Sequence, residues 1–237
     1  MAGVAILSGA GWAARDAIAG RLADEGFDLA VLGPSPDACA AAVDRARRSG
    51  RRAISLAVRA SEADSVQQAV DYVDEHLGPP AVLLNVVDAL LSGPLCEVAD
   101  WDGYVGGPLR ETFLISRAVL DPMIREGYGR IVTVANVLGA AGRRENATVR
   151  AGLEGFTRTL ALEADAFGVT ANLVVAGLGV RAPAAAEILP PAPGSPAPGG
   201  RATADAELAA TVAFLAGDAA TIVSGQVIHV AVADGTA

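Results

Sequence analysis

Three polar side chains, Asn136, Asn146 and Arg150, fall inside one stretch that reads as a buried strand, a loop and a long helix. Two amides and a guanidinium can together hydrogen-bond a carbonyl or a carboxylate, and Arg144, Glu145 and Asp88 would add charge around them. None of the first three carries a proton that ionises near neutral pH. Arg150 in particular stays charged and is a poor proton relay. By themselves these residues stabilise an oxygen rather than exchange a proton with it.

The elements that must position them follow from hydrophobic patterning. Ile131, Val132, Thr133 and Val134 form an apolar, β-branched run, and Leu153, Phe156, Leu160 and Glu163 recur at helical spacing. The chain opens with the strand VAILS within residues 3–11, and a helix follows over 12–26 with Ile18 and Leu22 on one face. A second strand over 27–32 ends in Gly33 and Pro34. The next helix, over 37–49, finishes in a basic cluster of Arg45, Arg47, Arg48, Arg51 and Arg52, as a solvated helix carboxyl end favours. A third strand (53–58) is followed by Arg59 and a helix over 61–77, with Ser61 as its cap and Gly78, Pro79 and Pro80 as its stop. The fourth strand covers 81–85, a long helix lies within 101–125, and a further strand spans 169–175. Residues 182–200 turn to alanine, proline and glycine and are assigned no helix. A helix over 203–216 and a strand over 225–230 close the pattern.

At 237 residues and 52% hydrophobic content, the chain is predicted to form one domain over 1–237. A net charge of −9 argues against a nucleic-acid or anionic-membrane partner. Cys39 and Cys96 form no CxxC and, with only His76 and His229 beside them, no metal-ligand cluster, so no metal is expected. His76 reads as a helix-end surface residue and His229 as part of a strand. With no signal-peptide pattern or membrane-length apolar run, the expected location is the cytoplasm.

The ordered matches SGAG, WD…TF, GRIVTV, AGLEGFTRTLALE and FLAGDAA…SGQVIHV resemble the short-chain dehydrogenase/reductase family over nearly the whole chain. The resemblance implies a Rossmann-like, doubly wound α/β fold with seven parallel strands in the order 3-2-1-4-5-6-7 and helices on both faces. It also assigns positions. The family's catalytic asparagine, serine, tyrosine and lysine fall on Pro108, Asn136, Asn146 and Arg150. In the family's TGxxxGxG turn, Gly9 keeps the first glycine while Ala13 and Arg15 stand at the second and third. Gly33 and Arg59 stand where relatives contact the ribose and the adenine, and Asp88, in place of the glycine of the family's NNAG, would set a carboxylate near the cofactor's own negative charge.

These replacements lead to an expectation of lost chemistry: no catalytic residue, a filled cofactor pocket and no cofactor. Both helix faces that relatives use for assembly are kept. The chain is therefore expected to be a catalytically inactive subunit paired with a catalytic relative in a heterodimer or heterotetramer of an NAD(P)-dependent dehydrogenase or reductase, with 182–200 as a degenerate lid. The alternative is redox-free chemistry, such as dehydration, cyclisation or elimination, by a homo-oligomer.

Overall fold

The computed structural model describes residues 3–9, 14–91, 100–136, 144–177 and 201–230. Ala13 and the stretch 182–200, both singled out above, lie outside the described residues. Seven parallel strands form one sheet: β1 (Val4–Ser8), β2 (Asp28–Gly33), β3 (Ala53–Ala57), β4 (Pro80–Asp88), β6 (Gly129–Asn136), β8 (Val169–Ala176) and β9 (Val227–Val230). Their spatial order is β3-β2-β1-β4-β6-β8-β9, the doubly wound order expected from the sequence. The central strands β1, β2, β6 and β8 are buried along their full length, as strands covered by helices on both faces must be.

Among the described residues, six helices cover the sheet: α1 (Ala14–Asp24), α2 (Pro36–Arg48), α3 (Ala63–His76), α4 (Gly107–Glu126), α5 (Ala147–Ala164) and α6 (Arg201–Ala216). Ile18, Leu22, Val43, Leu208 and Val212 pack α1, α2 and α6 on one face. Val66, Val70, Val119 and Leu160 pack α3, α4 and α5 on the other. A short π-helical turn, Asp102–Gly106, leads directly into α4, whose second residue is Pro108.

Several local expectations are corrected by longer-range contacts. A small antiparallel pair, β5 (Leu90–Leu91) with β7 (Arg144–Glu145), places the backbone of Arg144 and Glu145 in a ladder. Strand β4 runs on to Asp88, beyond its expected end. Ser61 does not cap α3: Glu62 holds that position without a side-chain bond, while the Ser61 carbonyl accepts from Arg110 Nε at 3.1 Å. Arg51 and Arg52 do not belong to a helix end. They lie beyond α2 and grip Asp28 at the start of β2, with Arg51 Nη2 at 2.9 Å and Arg52 Nε at 2.6 Å. The Arg52 backbone N–H donates to the same carboxylate at 3.1 Å.

At α5, Asn146 is an N-cap. Its Oδ1 accepts from the Val149 N–H at 3.2 Å and its Nδ2 donates to the Tyr104 carbonyl at 3.0 Å. One side chain therefore joins α5 to the turn preceding α4.

Burial alone would raise the Asp28 pKa, but the Arg52 hydrogen bonds and the nearby Arg51 and Arg52 charges outweigh it and hold the group below its ordinary 3.8. A depressed carboxylate pKa contributes stability that is fully present above the unfolded value and is lost as the pH falls through the folded one. Asp28→Asn is expected to cost about 1–2 kcal/mol at neutral pH. In denaturant titrations the gap from the parent should close as the pH drops below that of an ordinary carboxylate; a pH-independent gap would show that the ion pairs contribute nothing. Asn146→Ala should cost about 1–2 kcal/mol by loss of the cap, and Asn146→Asp should recover part of it. Thermal unfolding of the two variants checks this order.

Candidate functional site

The strand order reverses between β1 and β4, so the connections leaving these neighbours pass to opposite faces and leave a crevice at their carboxyl ends. A cavity of about 340 Å³ occupies it. Ser8 Oγ donates to Asn85 Oδ1 at 2.8 Å, and Asn85 Nδ2 donates to Ser116 Oγ at 3.1 Å. This buried chain of bonds fixes β1, β4 and α4 against one another at the cavity floor. Leu32, Val58 and Ile115 supply an apolar wall.

Two glycines bring bare backbone to the cavity. Gly9 has φ +93°, and a Cβ there would lie 2.1 Å from the Val86 carbonyl oxygen, so no other residue fits without moving the backbone. A Cβ on Gly33 would meet Cys39 Sγ at 2.7 Å. Burial pushes the Cys39 thiol up against a smaller opposing effect from Arg15.

Arg15 does not fill this space. Its Nη1 donates to the Gly9 carbonyl at 2.9 Å and its Nη2 to the Ala38 carbonyl at 2.5 Å, and it is absent from the cavity lining. The expectation that Arg15 fills the pocket fails for that reason: the long side chain turns onto backbone acceptors and ties Gly9, just beyond β1, to Ala38 of α2. Arg59 is exposed and pairs with Glu62 at 2.7 Å. Asp88 does line the cavity, at the end of β4.

The four positions proposed for chemistry are only partly brought together. Pro108 lines the cavity, and its carbonyl accepts from Thr112 Oγ1 at 2.9 Å. Asn136 is buried at the end of β6, in register with Asp88 on one side and Ala176 on the other. Asn146 is 1% exposed and its amide is engaged by the cap, so it is structural rather than an open donor to a ligand. Arg150, in the first turn of α5, pairs with Glu154 one turn later.

Glu111 was missed by sequence reasoning. It reaches the cavity from α4, and desolvation pushes its carboxyl above the ordinary value. Glu111 lies within the WD…TF stretch, and residue type alone did not indicate that its side chain reaches the cavity. Among the described residues, no cluster of potential metal ligands is present and no helix is long and apolar enough to cross a membrane.

The family model described as "Enoyl-(Acyl carrier protein) reductase" matches residues 3–232. A 3-oxoacyl-[acyl-carrier-protein] reductase of Pseudomonas aeruginosa is 32% identical, with 96% of this chain and 95% of the relative covered. A (2S)-[(R)-hydroxy(phenyl)methyl]succinyl-CoA dehydrogenase subunit of Thauera aromatica is 34% identical over 96% of this chain and 92% of its own length. The crystal structure of levodione reductase shares the fold, with a TM-score of 0.76 and 24% identity over 96% of this chain and 95% of that one. The relatives' names describe reductases and a dehydrogenase subunit. They overturn the expectations of an inactive subunit, of redox-free chemistry and of a chain without cofactor, and the open cavity removes the physical ground on which cofactor loss was inferred. A family model spanning residues 3–232 and relatives matched along almost their whole length make this chain a member of the short-chain dehydrogenase/reductase family.

Proposed function

We propose that this protein is an NAD(P)-dependent oxidoreductase that interconverts a carbonyl and a secondary alcohol on an acyl chain carried as a thioester. The observation carrying this reading is the open cavity at the carboxyl ends of β1 and β4, in a chain whose relatives are named for 3-oxoacyl-carrier and succinyl-CoA derivatives.

The described residues fit the adenosine half of such a cofactor. Gly9 and Gly33 line the cavity with backbone, and Leu32, Val58 and Ile115 offer a flat apolar ring an apolar wall. When bound, the dinucleotide supplies or accepts the hydride. Asn146 is committed to its cap, so of the family-matched positions Asn136, buried at the end of β6, and Arg150, paired with Glu154, are the ones assigned to the substrate oxygen. They act as hydrogen-bond donors, which favour a developing oxyanion, and not as titrating acids.

The protein works as an assembly with a second short-chain subunit. Leu109, Phe113, Gly152 and Phe156 border a shallow hollow of about 560 Å³ between α4 and α5, and Phe113 and Phe156 meet edge-to-face at 6.2 Å. Phe113 remains 45% exposed, an apolar surface suited to covering by another helix pair.

The purified chain, alone and co-expressed with an intact relative, would be given NADH or NADPH and acetoacetyl-CoA while loss of reduced nicotinamide is followed. Turnover in either preparation is expected. Absence of both turnover and nucleotide binding in both preparations refutes the reading. Light scattering should show a multimer, and Phe113→Glu should reduce its size without lowering helix content; an unchanged mass would exclude this face as the contact.

A further inference from the structure

Arg15 is a buried cation that the proposed reaction leaves unused, and the role its position gives it rests on the cofactor reading above. It is the second residue of α1 and only 5% exposed. The family's third glycine falls on this position, yet α1 still buries Ile18, Ala19 and Leu22 completely. A guanidinium stays charged throughout the working pH range, so burial here leaves a permanent positive charge with little water to screen it.

Among the described residues, no hydrogen-bonded carboxylate cancels that charge. Nη1 donates to the Gly9 carbonyl at 2.9 Å and Nη2 to the Ala38 carbonyl, both neutral acceptors. Nε is buried and has no hydrogen-bond partner among the described residues. Asp16 Oδ1 stands 3.8 Å from Nε, a loose pair beyond hydrogen-bond reach, on a side chain that is 41% exposed.

The charge acts on the cavity through its backbone. Gly9 lines the cavity, and its carbonyl, which would repel an anion there, is held by Arg15. Burial pushes the Cys39 thiol up and the Arg15 charge opposes it, while a Cβ on cavity-lining Gly33 would lie 2.7 Å from Cys39 Sγ. The field of the guanidinium therefore reaches the backbone beyond β1 and at the end of β2. Asp88 and Glu111, the carboxylates on the wall, are exposed and screened by water. We infer that Arg15 is a positioning residue for the dinucleotide, a buried cation that draws its diphosphate onto the Gly9 backbone without entering the cavity.

Ligand-observed NMR titrations of the full-length protein with ADP-ribose and with adenosine separate charge from shape, and neither ligand requires turnover. Arg15→Gln, which keeps a donor and loses the charge, is expected to weaken ADP-ribose about ten-fold and adenosine less than about two-fold. Arg15→Lys should retain most of the ADP-ribose affinity at neutral pH and lose it, relative to the parent, as the pH rises from about 7 to 10, because a buried lysine gives up its proton where an arginine does not. That divergence is read even where Arg15→Gln does not fold, and a side chain serving only as a brace would not produce it. Equal losses on the two ligands, an ADP-ribose affinity unchanged by Arg15→Gln, or an Arg15→Lys protein that follows the parent across the pH range overturns the inference and leaves the cofactor reading standing. Failure of the folded parent to bind ADP-ribose overturns both.

Discussion

The hydrogen bond from Ser8 to Asn85 joins the carboxyl ends of the two strands at which the sheet changes direction. Both residues are almost fully buried between apolar layers, so each polar atom requires a partner, and Asn85 passes its remaining donor to Ser116 on α4. Three elements distant in sequence thereby acquire one relative position. Gly9 can then lie against the Val86 carbonyl without a side chain, and α4 presents Pro108, Glu111 and Thr112 to the same cavity. Without that polar chain, apolar packing would hold the layers together with much less control over the rim of the crevice.

The fold was legible because its strands are short apolar runs and its helices carry apolar residues at helical spacing. VAILS and GRIVTV have no polar face, which indicates strands covered on both sides, and the alternation with helices indicates a parallel sheet. The features that escaped are contacts between segments far apart in sequence. Nothing local in Leu90–Leu91 indicates pairing with Arg144–Glu145. Arg51 and Arg52 look like the continuation of a basic helix end until Asp28 is placed beside them by the pairing of β2 with β3.

The site was less legible than the fold because motif matching records residue type and omits side-chain direction. Arg15 at a glycine position reads as an obstruction, yet its guanidinium finds two backbone carbonyls and leaves the cavity open. Asn146 at a tyrosine position reads as a substitute ligand, yet an asparagine before a helix has a strong alternative use, and the Val149 N–H takes it. The error on activity has the same origin. Replacement of motif side chains was taken as loss of the site, although much of a dinucleotide cavity is built from backbone and apolar side chains, which such a comparison does not record.

The electrostatics of the cavity depend on placement more than on the number of charges. The helix α2 directs the positive end of its dipole toward the end of β2, and Arg15 adds a full charge close by. These make the crevice attractive to phosphate. Ser35 already answers one free N–H at the helix start, and Arg15 donates to the carbonyls of Gly9, which lines the cavity, and of Ala38, which does not. Asp88 and Glu111 instead stand on the wall itself. Arg15 is almost fully buried whereas Asp88 and Glu111 are exposed, so solvent screens the two carboxylates more than it screens the guanidinium.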